Sequence, residues 1–175
     1  MKCIVNVTDS WGIGYQNELC VRISADMKRF AALTTGGTVV LGRKTMEGFP
    51  GGRPLKNRRN IVLSQNPDLQ IPGAEIAHSL EELAVFLEGE DPNRTFLIGG
   101  ERIYRLLLPY CSEALVTLTP GTYPADRFFP NLKELPNWNL AEVGEIQEEK
   151  GVKFQYLTYF NAKPLPLLKG DESTE

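Results

Sequence analysis

Histidine and cysteine are scarce in this 175-residue chain, with one of the former and three of the latter. The single histidine, His78, falls in a turn before a capped helix. No serine or cysteine motif accompanies it, so a His-activated nucleophile has no support and a surface histidine is expected. Cys3, Cys20 and Cys111 are odd in number, far apart and without a CxxC pair. That pattern argues against a disulfide framework or a zinc site and fits a reducing, cytoplasmic setting, the thiols serving as small core residues or as a free thiol in a loop. No His/Cys/Asp cluster has metal-ligand spacing. Long apolar runs are missing as well. Nothing approaches the ~18 residues of a membrane helix, and MKCIVNVTDS carries too short an apolar run for a signal peptide, so no membrane association is expected. Positive charge is not in excess either, and a net charge of −3 argues against broad nucleic-acid binding.

What is present is ordinary globular material, 42% apolar and 23% charged. The length suits one domain, expected over residues 1–162, with a frayed, proline-containing and then charged tail at 163–175. Lys2 to Val7 reads as a buried strand. The stretch from Thr8 to Ile23 reads as a long loop of the kind that serves as a lid or binds ligand. Ser24 has the chemistry of an N-cap for a helix from about Ala25 to Leu33, with an apolar stripe at Met27, Phe30, Ala31 and Thr34. Thr38 to Leu41 is a continuous apolar run suited to a central strand. Asn60 to Ser64, Glu75 to Ala77, Thr95 to Ile98 and Ala114 to Thr119 read as further strands. Ser79 with Glu82 forms a capping box, and Glu101 to Leu108 is a helix stopped by Pro109. Asn139 to Ile146 and Val152 to Phe160 read as an antiparallel pair. Strand and helix alternate first and strands dominate at the end. The expected fold is therefore α/β: a central, mostly parallel twisted sheet with an antiparallel C-terminal edge and helices on both faces.

Three features bear on chemistry. Asp26 shares a helix side with Phe30 and Leu33, so a carboxylate sits at the edge of an apolar face. On that stretch alone it reads equally as a first-turn acid complementing the helix dipole. Arg43, Lys44, Arg53, Lys56, Arg58 and Arg59 gather six of nineteen basic residues into seventeen positions. They form a solvated face or a pocket for anionic ligands. Two strand ends run through glycine into a helix, at Leu41-Gly42-Arg43-Lys44-Thr45 and Ile98-Gly99-Gly100-Glu101. Such ends present free N–H groups suited to phosphate, and two on one sheet suit a dinucleotide. A P-loop is not intended here, because the residues after Gly37 are TVVL, which is strand material. The Rossmann GxGxxG is absent. Arg43, Lys44 and the Ser64-Gln65 strand end stand where a ribose-gripping acid would be, which favours NADP over NAD.

In order along the chain, Gly12-Ile13-Gly14, Asp26 with Phe30, Gly42-Arg43-Lys44-Thr45, Arg53-Pro54-Leu55, Asn60 to Ser64, Ile98-Gly99-Gly100 with Tyr104, and Asp126-Arg127-Phe128-Phe129-Pro130 resemble the dihydrofolate reductase family. The resemblance spans Cys3 to Phe160. It implies that Asp26 binds the pterin 2-amino group and the adjacent ring nitrogen as a two-point pair, with Thr117 hydrogen-bonded to it. Burial would raise the Asp26 pKa and the helix N-terminus would lower it, and the sequence leaves that balance open. Ile4, Val5, Met27, Phe30, Phe49 and Leu55 would line the pterin and benzoyl pocket, and Arg58 would meet the α-carboxylate of the glutamate tail. NADPH would be held by Asn6, Ile13, Gly14, Gly42, Arg43, Lys44, Thr45, Leu63, Ser64, Gln65, Ile98, Gly99, Gly100, Glu101, Arg102, Ile103 and Tyr104. Within that set, Gly99-Gly100 resembles the family's cis glycine pair, and Tyr104 would lie beside the nicotinamide.

The implied activity is hydride transfer from NADPH to C6 of 7,8-dihydrofolate with protonation at N5 through water, aided by Asp26. It would supply tetrahydrofolate to one-carbon metabolism and thymidylate synthesis. Antifolates are the implied inhibitors, a monomer the implied state, and the Thr8 to Ile23 loop the implied lid. Leu19-Cys20-Val21 stands where many members read Leu-Pro-Trp, removing an indole donor, and Met46 replaces a common tryptophan. Two other readings compete. A same-fold pyrimidine reductase of riboflavin synthesis lacks the gripping carboxylate and the need for Arg58. A non-catalytic nucleotide- or RNA-binding module sits poorly with the acidic total charge and the lack of aromatics in the basic cluster.

Overall fold

Cys3, Val5 and Val7 alternate with Ile4, Asn6 and Thr8, a period of two that turns one set to each side of a strand. In the computed structural model, which describes residues 1–168, this stretch is β1 (Lys2–Thr8). Next come β2 (Gly12–Tyr15), β3 (Glu18–Leu19), α1 (Ser24–Thr34), β4 (Thr38–Gly42), α2 (Arg43–Glu47) and β5 (Arg59–Leu63). β6 (Glu75–Ala77), α3 (Leu80–Phe86), β7 (Thr95–Gly99), α4 (Glu101–Leu107) and β8 (Glu113–Thr119) continue the alternation. The strands β9 (Arg127–Phe128), β10 (Trp138–Val143), β11 (Gln147–Glu149) and β12 (Val152–Asn161) complete it.

The main sheet has the order β10-β12-β8-β1-β7-β4-β5-β6, with β11 paired to β12. Neighbours from β8 through β6 run parallel, whereas β12 is antiparallel to β8 and β10 to β12. This is the expected mostly parallel sheet with an antiparallel edge. Every residue of β4 is buried, as its unbroken apolar run requires. One face packs Val5, Val7, Val40 and Leu97 against Leu83 of α3 and Ile103, Tyr104 and Leu107 of α4. The other packs Val39, Leu41 and Val62 against Met46 of α2, with Phe49, Leu55 and Ile98 half-buried around them.

Three expectations are corrected by the fold. The first concerns Ser24, which is already helical. The N-cap position is Ile23, in extended backbone, and no side chain caps it. The helix-start donors are instead met by a carboxylate from β11: Ser24 N–H donates to Glu149 Oε2 at 2.6 Å and Ala25 N–H to Oε1 at 3.1 Å. A negative group there satisfies orphan donors and complements the dipole. The neighbouring strand adds a second clasp, with the Arg29 guanidinium 3.9 Å from the centre of the Tyr156 ring. Glu149→Ala should cost about 1 kcal/mol, the worth of a helix cap, and lower Tm by about 2–4 °C in a domain of this size. Thermal unfolding checks it, and an unchanged Tm would show the contact to be idle. By contrast, the Ser79 cap forms as read, accepting from Glu82 N at 3.1 Å. The Glu82 carboxylate closes on His78 N at 2.6 Å, one residue early.

Second, the Thr8 to Ile23 stretch is not a plain loop. β2 pairs with β3 and with β9 in a separate three-stranded sheet. Asp126 fastens it, donating its N–H to Gly14 O at 2.8 Å and accepting from Gln16 N at 3.0 Å. Third, the start of the expected frayed tail is docked. Leu165 N–H donates to Pro109 O at 2.9 Å and Leu167 packs on the core, while 169–175 lie outside the described residues.

Candidate active site

Asp26 stands in the first turn of α1, which lies on the sheet face opposite α3 and α4. Its side chain turns toward the sheet. Thr117 Oγ1, on β8, donates to Oδ1 at 2.6 Å, and Asn6 Nδ2, on β1, donates to Oδ2 at 3.4 Å. The helix-dipole reading alone does not account for such an anchored carboxylate. Burial pushes its pKa up, opposed by the Thr117 hydroxyl, then the charge of Arg29, then the Asn6 amide. Burial wins the balance the sequence left open.

The apolar stripe of α1 is largely uncovered. Only Thr34 of the helix is buried, Phe30 is half-buried, and Met27 is 45% exposed. Uncovered apolar side chains beside a carboxylate, on the sheet face that also carries half-buried Phe49 and Leu55, suit a flat heterocycle in a cleft on that face. Ile4 and Asn6 share the α1 side of β1. Val5 turns its side chain to the α4 side, with Val7 and Tyr104, which leaves only its backbone on the α1 side. Sequence pattern cannot separate Ile4 from Val5, because both are apolar.

Arg58 sits at the far end of the same helix. Its Nη1 donates to Thr34 Oγ1 at 3.1 Å and its Nε to Lys56 O at 2.9 Å, which fixes the plane of the fork. Thr34 and Asp26 are eight residues apart, or about 12 Å along the axis. Arg59 is spent internally, on both Glu75 oxygens at 2.5 and 2.8 Å, on Glu90 Oε1 at 2.8 Å and on Phe86 O at 2.6 Å. Within the basic cluster, Arg59 is therefore engaged in ion pairs, whereas Arg58 is tied to the end of α1. Asn60 is a residue that sequence reasoning missed. It is 2% exposed, accepts from Leu55 N at 3.0 Å and donates to Leu55 O and Arg58 O, both at 2.9 Å. The only clue in the sequence is an asparagine opening an apolar strand. Asn60→Ala should cost about 1–2 kcal/mol, and should raise KM for the tail-bearing ligand more than KM for the cofactor. An equal rise in both KM values would mean that Asn60 does not position Arg58.

The two glycine turns are neighbours, since Leu41 and Gly99 are paired across β4 and β7. A Cβ on Gly42 would fall 2.9 Å from Ile103 Cγ1, and one on Gly100 would fall 3.1 Å from Thr45 Oγ1. Gly99 has φ +135°, a region that favours glycine, and the Gly99–Gly100 peptide is cis, as the resemblance implies. No side chain caps α2 or α4. A cradle of bare backbone between two strand ends, flanked by exposed Arg43 and Lys44, fits a dinucleotide diphosphate. Arg43 pairs with Glu47 at 2.6 Å across an exposed turn. Ser64 Oγ accepts from Asn66 N at 3.2 Å, and Gln65 is exposed. His78 is more than a surface group, because its Nδ1 meets Ser64 O at 2.9 Å.

Other members of the expected cofactor set divide by orientation. Leu63 and Ile103 turn their side chains into the core, leaving backbone only. Glu101 accepts from Phe128 N at 2.5 Å, tying β9 to α4, and Arg102 is exposed. Tyr104 is buried, its hydroxyl donates to Ile4 O at 2.6 Å, and burial pushes its pKa well up. Its ring meets Phe129 edge-on at 4.9 Å. Ile13 packs against the core from β2, next to Gly14. Asn6, expected among the cofactor contacts, turns its side-chain amide to Asp26.

Comparison with known proteins agrees with this geometry. A family model described as dihydrofolate reductase matches residues 1–161. Dihydrofolate reductase of Bacillus subtilis (strain 168) is 34% identical over 149 residues, covering 84% of this chain and 86% of its own length. The Staphylococcus haemolyticus enzyme is 36% identical over 141 residues, covering 81% and 79%. Among solved structures, dihydrofolate reductase from Enterococcus faecalis complexed with NADP(H) and RAB-propyl superposes with a TM-score of 0.80. It is 32% identical, and the match covers 91% of this chain and 95% of that one. With the site's geometry in hand, the match along nearly the whole chain establishes that the protein belongs to the dihydrofolate reductase family.

Proposed function

We propose that Asp26 holds the pterin of dihydrofolate by its 2-amino group and neighbouring ring nitrogen, so that C6 faces the cofactor and N5 is open to a proton carried by water. Membership of the family carries the reduction of dihydrofolate at the expense of NADPH. When bound, NADPH supplies the hydride that C6 receives. This chain supplies position and exclusion of water. Thr117 fixes one Asp26 oxygen, Phe30, Phe49 and Leu55 provide apolar walls, and Arg58 meets the tail α-carboxylate. Gly42, Thr45, Gly99 and Gly100 leave room for the phosphates, Arg43, Lys44 and Ser64 add charge and hydrogen bonds, and Tyr104 stands under the nicotinamide. The hairpin of β2 and β3 covers the site. The charge of Asp26 raises the basicity of N5 without itself delivering the proton.

The contact of Asp26 with Thr117 carries this reading, since it aims a partly buried carboxylate into an apolar cleft. Loss of NADPH absorbance on adding dihydrofolate tests it, and no loss would overturn it. The same carboxylate should bind 2,4-diaminopyrimidine antifolates. Every grip named above comes from one chain, which supports a monomer. The free cysteines, two of them buried, support a cytoplasmic setting.

A further inference from the structure

Asn6 is polar in a strand whose other side chains are mostly apolar. It faces α1 because Val5 and Val7 on either side of it face the core. Its register partner on β8 is Thr117, and Thr119 lies two residues on. Thr119 Oγ1 donates to Asn6 Oδ1 at 2.9 Å. The Asp26 carboxylate can only accept, so it draws the amide nitrogen, and the Thr119 hydroxyl, which can donate, holds the oxygen on the other side. With its oxygen held by Thr119, its nitrogen turns to α1 and reaches Asp26 Oδ2 at 3.4 Å. Thr117 takes Oδ1 at 2.6 Å. Each carboxylate oxygen thus has one donor from the sheet and keeps its outer side for ligand. Thr117 and Thr119 are 1% and 0% exposed, so both ends of the arrangement are fixed in packed structure.

We infer that Asn6 is a positioning residue of the substrate site: its carboxamide, set by Thr119, holds the Asp26 carboxylate in the plane that meets the two pterin donors. The inference rests on the reading that Asp26 grips the pterin. A donor to a carboxylate favours its charged form, so Asn6 also extends the acid limit of ligand binding downward. The charged and titratable groups near Asp26 are Arg29 on its own helix, Tyr104 of α4 and Tyr156 of β12, with Glu149 of β11 next to Tyr156. The two tyrosines ionise far above the acid range, and Glu149 is common to every variant compared.

Affinity for 2,4-diamino-5-benzylpyrimidine, measured by calorimetry over the acid range, tests the inference. Carbon NMR of the Asp26 carboxyl group reads the same midpoint directly. Asn6→Ala should weaken binding near neutral pH about three- to tenfold, the worth of one ordinary hydrogen bond, and should move the acid midpoint to higher pH. Thr119→Val should move it the same way, because the amide then loses the bond that holds it against Asp26. Thr119→Ser, which keeps the hydroxyl, should restore the wild-type profile. The double variant Asn6→Ala/Thr119→Val should be no worse than Asn6→Ala alone. NADPH affinity should be unchanged throughout. An unmoved midpoint in both Asn6→Ala and Thr119→Val overturns the inference, as does an equal loss of NADPH affinity. If Asp26→Asn itself binds the pyrimidine as wild type does, the fault lies in the reading of Asp26, and the role of Asn6 falls with it.

Discussion

Asp26→Asn is expected to lower turnover about ten- to a hundredfold near neutral pH, a loss of roughly 1.5–3 kcal/mol of charged hydrogen bonding. The amide keeps the shape and gives up the charge, so it offers one acceptor where the pterin presents two donors. The same change should stabilise the fold at neutral pH. Burial holds the Asp26 pKa above its unfolded value, so between the two values the native state binds more protons than the unfolded chain. The stabilising contribution is fully present below the unfolded value near 3.9 and is lost as pH rises through the raised native value. At neutral pH the ionised carboxylate is therefore a liability that Asn removes. Denaturation at neutral and at acid pH, together with steady-state kinetics, checks both halves. Unchanged turnover would reduce Asp26 to a dipole partner. A variant less stable than wild type at neutral pH would show that the donors on Thr117 and Asn6 outweigh burial.

Arg58→Ala should raise KM for dihydrofolate by about ten- to a hundredfold and leave KM for NADPH unchanged, because a fork held for a carboxylate contributes roughly 1.5–3 kcal/mol. The fork is fixed before ligand arrives. Thr34 Oγ1 donates to Phe30 O at 2.8 Å, which leaves its lone pairs to accept from Arg58 Nη1. Thr34→Val should accordingly reproduce part of the effect. Arg59→Ala should behave differently, lowering stability rather than raising KM, since its partners are Glu75, Glu90 and the Phe86 carbonyl. Equal weakening of both ligands by Arg58→Ala would place that arginine elsewhere.

The parts legible in the sequence were those with a local cause. Thr38 to Leu41 has no side to show to water, so it had to be a central strand. Asp26 interrupts an apolar helix face, so it needed a reason to be there. Ser79 and Glu82 carry their cap within four residues. The parts that escaped depend on register between distant segments. Glu149, which caps α1, is far from Ser24 in the chain, and no local pattern links them. The β2–β3 hairpin is joined into its small sheet by β9, which comes from far along the chain. Val5 and Ile4 are chemically alike, and only the sheet decides which one meets the cleft. The link between Asn6 and Asp26 escaped because the partners of that amide, Thr119 and Asp26, come from a different strand and from a helix.

Because Asp26 and Thr34 lie on one rigid turn-by-turn scaffold, the roles proposed for Asp26 and Arg58 would make α1 a ruler with a mark at each end. A fragment carrying only the heterocycle, or only the glutamate, reaches a single mark. Joining the fragments with a spacer of matching length makes the second attachment intramolecular. The whole ligand then gains a chelate advantage that neither half has, and a spacer that is too short or too long forfeits it.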